Sequence, residues 1–184
     1  VEVPEDIKSG DYAITVKIYG EEDDVYSETL TLNVIDAVLP EQTLISTQWF
    51  HTDCIADYHN VPVFSEEHWK LIESYMKAFI KCGNNMILTP VFTPPLDTKI
   101  GGERTTVQLV DVFKKGDSYS FNFDKFSRWV KLALDCGIRY FEISHLFSQW
   151  GAFATPKVMA EADGEYKRIF GWETEASGKE YSDF

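Results

Sequence analysis

Apolar and polar residues alternate between positions 12 and 19, with Tyr12, Ile14, Val16 and Ile18 on one side and Ala13, Thr15, Lys17 and Tyr19 on the other. A period of two is the strand period, so this stretch predicts a strand. A polar turn over residues 20–24 follows. Residues 27–38 then repeat the pattern, setting Leu30, Leu32 and Val34 against Thr29, Thr31 and Asn33. The two runs predict an antiparallel hairpin. A lone hairpin is marginal in water, which predicts further strands upstream.

The rhythm changes at Ala37-Val38-Leu39-Pro40, and a boundary is drawn between residues 39 and 40. Beyond it strands and helices alternate. Residues 44–50 predict a strand. Ser65 predicts the N-cap of a helix reaching about Lys81, with Glu66 and Glu67 at its positive end and Gly83 as its stop. Residues 85–92 predict the next strand. A long loop with Pro94-Pro95 and Gly101-Gly102 follows, and residues 105–113 alternate enough for a small hairpin. Residues 123–135 predict a second helix ended at Gly137, and residues 139–146 a third strand. A shift of 54 positions lays Cys82-Gly83 on Cys136-Gly137 and superposes the two helical stripes, for example Ile72 on Phe126 and Met76 on Val130. Repeated strand-helix units predict a parallel sheet, because a parallel return needs a helical crossover.

The expected fold class is therefore α/β, the first part of a (β/α)8 TIM-type barrel over residues 40–184. Three strands and two helices are too few to close one. A doubly wound sheet is the alternative on pattern alone, but no Gly-x-Gly-x-x-Gly turn follows any strand. A barrel cut at this point would expose an unpaired edge, so the segment alone is expected to be marginally stable or self-associating.

The 184 residues carry 30 acidic against 17 basic side chains, a formal charge of −13, with no run of Lys or Arg. Nucleic acid is excluded as a partner, since phosphate neutralisation needs a basic patch. No apolar stretch is long enough for a membrane span. The chain opens on Val1 with neither a start nor a signal peptide, which reads as a piece of a longer polypeptide whose remainder is its first partner. Cys54, Cys82 and Cys136 make an odd count and read as buried free thiols. Free thiols favour a reducing compartment, and the missing start leaves export open.

Candidate chemistry gathers where the predicted strands end. If the first strand runs on through Asp53, period two sets Trp49, His51 and Asp53 on one side. A Trp face can stack on the C–H side of a pyranose while His and Asp take its hydroxyls; the plainer alternative is a buried Trp with His51 satisfied by backbone. Asp57, Tyr58, His59 and Asn60 extend the same polar segment. After the third strand, His145, Gln149 and Trp150 bring a second imidazole, an amide and another indole to the same level. His51-x-Asp53 could instead hold a metal ion, although the remaining ligands are not visible. No carboxylate has the strand-end placement of a glycosidase pair, and Glu142, inside the third strand, reads as a buried polar group of a barrel interior.

The run LPEQTLISTQWFHTDC, the passage NNMILTPVFTPP, and FEISHLFSQWGA with its following ATPKV resemble glycoside hydrolase family 123 and its uncharacterised relatives. The resemblance covers residues 39–158, and the preceding hairpin is similar to the last strands of the β-sandwich that those proteins carry. It implies an exo-acting β-N-acetylgalactosaminidase with a carbohydrate substrate, no cofactor and no metal. It implies a substrate-assisted retaining mechanism, in which the acetamido oxygen attacks the anomeric carbon. An adjacent Asp-Glu pair on a later barrel strand orients the acetamido group and moves the proton. No position here matches that pair, so no catalytic residue is carried over, and the pair is expected beyond residue 184. The alternatives are a metal-dependent barrel hydrolase and an inactive carbohydrate-binding barrel.

Overall fold

A computed structural model describes residues 3–20, 23–40, 43–149 and 151–184. The chain divides into two compact units, Val1–Thr43 and Leu44–Phe184. In the first, β1 (Gly10–Gly20) and β2 (Asp23–Val34) pair antiparallel, with Tyr12 opposite Leu32 and Ile14 opposite Leu30. That register sets apolar partners together on one face. On the other, Thr15 and Thr29 hydroxyls meet at 3.0 Å and the Asn33 amide donates to Asp11 at 2.7 Å. Val16, Ile18 and Leu30 stay exposed within this unit.

The second unit starts from a parallel sheet in the order β3-β4-β7: β3 (Thr47–Gln48), β4 (Met86–Thr89) and β7 (Tyr140–Ile143). Between β3 and β4 lie α1 (Thr52–His59) and α2 (Glu66–Lys81), and α3 (Asp124–Cys136) precedes β7. Ser65 caps α2 as expected, its hydroxyl accepting from His68 N at 3.2 Å. Gly83 (φ 83°) and Gly137 (φ 102°) take the left-handed conformation after α2 and α3, which glycine adopts without Cβ strain. The apolar stripes pack as one core: Trp69, Ile72 and Met76 of α2, Trp129 and Ala133 of α3, and Ile87 of the sheet are buried, with Phe50 between them. The two helices do not repeat each other position for position. Trp129 is fully buried, whereas Tyr75, its counterpart at a shift of 54, is 40% exposed.

A second, four-stranded sheet runs β6-β5-β8-β9: β5 (Asp111–Lys115), β6 (Ser118–Asn122), β8 (Val158–Ala162) and β9 (Glu165–Phe170). Its face buries Val112, Val158, Ala160 and Phe170 with Phe92. The hairpin expected at residues 105–113 forms instead further along, as β5–β6, turning at Gly116 with φ 58°. The alternation upstream of it reflects burial of Val107, Leu109 and Val110 rather than pairing. Gln108 lies buried there, its amide donating to Val110 O and Met159 O and its oxygen accepting from Met159 N. A short helix, α4 (Lys179–Asp183), completes the unit.

Two further expectations are corrected. The strand over residues 44–50 shrinks to Thr47–Gln48 because the Asn85 side chain takes over the pairing ahead of it, accepting from Ser46 N and donating to Leu44 O, each at 2.9 Å. The cysteines are free, but Cys54 and Cys82 are exposed and only Cys136 is half-buried. Cys82 sits just past the end of the apolar stripe as the C-cap of α2.

Candidate functional site

The chain leaves β3 at Trp49 and enters α1 three residues later, with His51 at the N-cap position. A strand running through Asp53 is therefore ruled out, and with it the shared face for Trp49, His51 and Asp53. Ile55 and Ala56 pull α1 down onto the core, Asn60 ends it in the left-handed conformation, and the expected polar loop of Asp57, Tyr58 and His59 is helical. The start of α1 is pinned from behind by His68, fully buried, whose Nε2–H donates to Thr52 O at 3.1 Å while Nδ1 accepts from Phe64 N at 2.9 Å. Burial holds the His68 pKa below the usual histidine value, against the opposing pull of the Thr52 bond.

His51 and Asp53 reach different partners on the loop after β4. His51 Nε2 lies 3.0 Å from Asp97 Oδ2, while its Nδ1 is buried with no partner. A carboxylate only accepts, so Nε2 carries a proton in this contact, and the buried Nδ1 is left without a protein partner. Asp53 is almost fully buried and takes Arg104 Nε at 2.7 Å. The same guanidinium donates to Leu96 O at 3.0 Å and contacts Cys54 Sγ at 3.1 Å. Burial alone would lower the Arg104 pKa, but the bond to Asp53 and its charge prevail and raise it. The loop is also held on its far side. Lys157 Nζ donates to Arg104 O, Trp172 Nε1 to Gly102 O at 2.7 Å, and Glu103 pairs with Arg168.

At the end of β7, Ser144 is locked to the β4 exit: its hydroxyl donates to Phe92 O at 3.1 Å and accepts from Phe92 N at 3.3 Å. His145 follows, half-buried, its Nδ1 buried and unpartnered. Its ring meets Trp49 edge to face, 6.2 Å between centroids. β3 and β7 flank β4, about 9–10 Å apart by ordinary strand spacing, so this contact spans the end of the middle strand. Trp49 remains 47% exposed. Gln149 is exposed and donates to Thr98 O at 3.3 Å; Trp150 lies outside the described residues. Glu142 stands opposite Leu88, on the sheet face away from the helices, with one carboxylate oxygen buried and unpartnered.

Of the sequence candidates, the structure joins Trp49 to His145 directly and gives His51 an acceptor, while Asp53 is occupied by a guanidinium. Trp49, edge to face with His145, supplies a half-open aromatic face that suits a ligand apolar on one side, while the unpartnered Nδ1 atoms of His51 and His145 are themselves buried. The metal reading loses its pair, because His51 and Asp53 engage Asp97 and Arg104. No group of three or more His, Cys, Asp or Glu side chains among the described residues is arranged to hold a metal ion. Asp97 and Arg104 escaped sequence reasoning, since both lie in the long loop after β4. The one local signal is Asp97 itself, a residue type that tolerates the left-handed conformation it adopts (φ 56°). An apolar cavity of about 410 Å³, lined by Phe92, Phe121, Phe147 and Tyr181 among others, includes none of the candidate residues; burial there pushes the Tyr181 pKa up to about 12.

No curated protein matches the chain. Among solved structures, it is similar to a family 123 glycoside hydrolase from Clostridium perfringens, reported in a study of glycolipid glycan hydrolysis, with a TM-score of 0.67 at 17% identity. The match covers 92% of this chain and 31% of that one, and at such identity it is a likeness of fold. The family model for the catalytic domain of glycoside hydrolase 123 matches residues 49–184, from the indole at the end of β3 to the last residue. The chain belongs to glycoside hydrolase family 123.

Proposed function

We propose that the protein hydrolyses β-linked N-acetylhexosamine, N-acetylgalactosamine first, from the end of a glycan, and that this chain supplies one wall of the sugar pocket. The observation that carries the reading is the Trp49–His145 contact across the end of β4, with unpartnered imidazole nitrogens on His51 and His145, inside the segment matched by the catalytic-domain model. Trp49 stacks on the C–H face of the sugar. His145 and Gln149 take its hydroxyls, and His51, whose Nδ1 is buried, stands behind them in the wall. Asp53, expected to face the substrate, is assigned instead to holding the loop.

In this reading the three-stranded parallel sheet is the opening of a (β/α) barrel, and the hairpin over residues 1–39 closes a β-sandwich. Hydrolysis is substrate-assisted: the acetamido oxygen displaces the leaving group with inversion, and water reopens the cyclic intermediate with a second inversion, so configuration is retained. The proton transfers belong to an Asp-Glu pair that no position of this chain matches. The test is turnover of nitrophenyl β-N-acetylgalactosaminide and β-N-acetylglucosaminide by the full-length protein. Release of the β-anomer is expected, with no turnover of the corresponding β-galactoside, which lacks the acetamido group. A folded sample that cleaves neither N-acetylhexosaminide overturns the reading.

A further inference from the structure

Arg104 closes a ring of contacts around His51. The ring passes along the backbone from His51 to Asp53, through Asp53 Oδ2 to Arg104 Nε at 2.7 Å, through Arg104 Nη1 to Leu96 O at 3.0 Å, and along the backbone to Asp97. From Asp97 Oδ2 it returns to His51 Nε2 at 3.0 Å. Each side chain in it serves a neighbour of the next, so the guanidinium fixes both ends of the His51–Asp97 bond without touching either side chain. Arg104 is suited to this, because a planar fork with five donors can hold a carboxylate and a carbonyl at once. Both members of the Arg104–Asp53 pair are largely buried, so neither is swung away by solvent. The ring is anchored outward as well: Thr105 Oγ1 donates to Asp57 of α1 at 3.0 Å, and Thr93 Oγ1 bonds Val107 O at 3.2 Å where the loop closes.

We infer that Arg104, acting through Asp53 and Leu96, is a positioning residue that holds Asp97 against His51 and thereby keeps the His51 proton on Nε2 and the lone pair on the buried Nδ1. It rests on the reading of His51 as part of the wall of the sugar pocket. An imidazole whose second nitrogen is held by a carboxylate presents one defined tautomer and orientation to its ligand. Released from Asp97, the ring would share its proton between the two nitrogens and lose that definition. Asp97 carries a left-handed backbone on an exposed loop, and the Arg104–Leu96 bond is the constraint adjacent to it.

The test uses the full-length protein with 15N-labelled histidine and the variants Arg104→Lys, Asp53→Asn and Asp97→Asn. The His51 ring-nitrogen shifts are expected to report a single Nε2–H tautomer in the parent. In Arg104→Lys and Asp53→Asn they are expected to move toward an average of the two tautomers. In parallel, the dissociation constant for N-acetylgalactosamine is expected to rise about tenfold, the scale of one lost hydrogen bond. A merely structural role would lower the melting temperature and leave the His51 shifts in place, and that result overturns the inference. If Arg104→Lys or Asp53→Asn fails to fold, Asp97→Asn decides: unchanged His51 shifts there equally overturn it. The ring-nitrogen readout needs no substrate. A protein that cleaves no hexosaminide therefore refutes the proposed function alone, while unmoved shifts in an active protein refute this inference alone.

Discussion

The two outer strands of the parallel sheet end differently. Past β3 side chains reach across to other elements: His68 holds Thr52 O, Asp97 holds His51, Arg104 holds Asp53, and Thr105 holds Asp57, while His51 Nδ1, Thr52 Oγ1 and Asp53 Oδ1 stay buried without partners. Past β7 the fastening runs through Ser144, through Leu146 O, which accepts from the Tyr181 hydroxyl at 2.6 Å, and through Ser148, which is paired with Ala154. His145 Nδ1 has no partner, Gln149 has one long bond, and Leu146 and Phe147 are about half exposed. A buried charge or amide must be paired to be tolerated, so the β3 exit is built to hold a shape. At the β7 exit the side chains of His145 and Gln149 are the ones held least. Asp53, paired with a guanidinium, belongs with the residues that set geometry.

Removing a partner at the β3 exit should be expensive. Arg104→Ala leaves the Asp53 carboxylate buried and alone, and a loss of about 3–5 kcal/mol in a urea melt is expected. A loss below about 1 kcal/mol would erase the contrast. Ser144→Ala, at the start of the β7 exit, removes both bonds to Phe92 and should destabilise by about 1–3 kcal/mol.

His68 makes the β3 exit sensitive to acid. Its folded pKa lies below the usual histidine value of about 6.5, so the unfolded chain binds the proton more readily and stability rises with pH. The contribution is complete above about 6.5 and is lost as pH falls from there through the lowered folded value, when a protonated Nδ1 would face Phe64 N–H. His68→Gln should flatten the dependence of the urea midpoint on pH in that window; a slope equal to the parent's would remove His68 from the explanation. The smallest effect is expected at the open exit, where His145→Ala and Gln149→Ala should each shift stability by about 0.5 kcal/mol or less. Both should still weaken binding of N-acetylgalactosamine. A melt that drops several degrees in either variant would show that the β7 exit is as fastened as the other.

Helix positions were legible because their signals are local: Ser65 and Gly83 bracket α2, and Gly137 ends α3, as the residue types require. The hairpin of β8 and β9 was equally legible in principle. Asp163-Gly164 adopts the left-handed pair (φ 55° and 82°) of a tight hairpin turn, and Asp-Gly is a local signal for that turn. The short β3 was not legible. Its pairing is cut off by the Asn85 side chain from 39 residues away, which no period in residues 44–50 can encode. The site divides the same way. Trp49, His51 and His145 announce themselves by type and by position at strand ends. Asp97 and Arg104 acquire meaning only when the loop after β4 folds back on α1, through bonds separated by 46 and 51 residues in sequence.

Titration of the full-length protein with N-acetylgalactosamine, following the ring nitrogens of His51 and His145, addresses the sugar pocket most directly. Both rings should shift in a saturable way with one dissociation constant. Trp49→Ala should raise that constant by about one to two orders of magnitude, the scale of an aromatic face lost from contact. Saturable binding of the sugar that leaves both imidazoles unmoved and is indifferent to Trp49→Ala would place the pocket elsewhere and contradict the assignment.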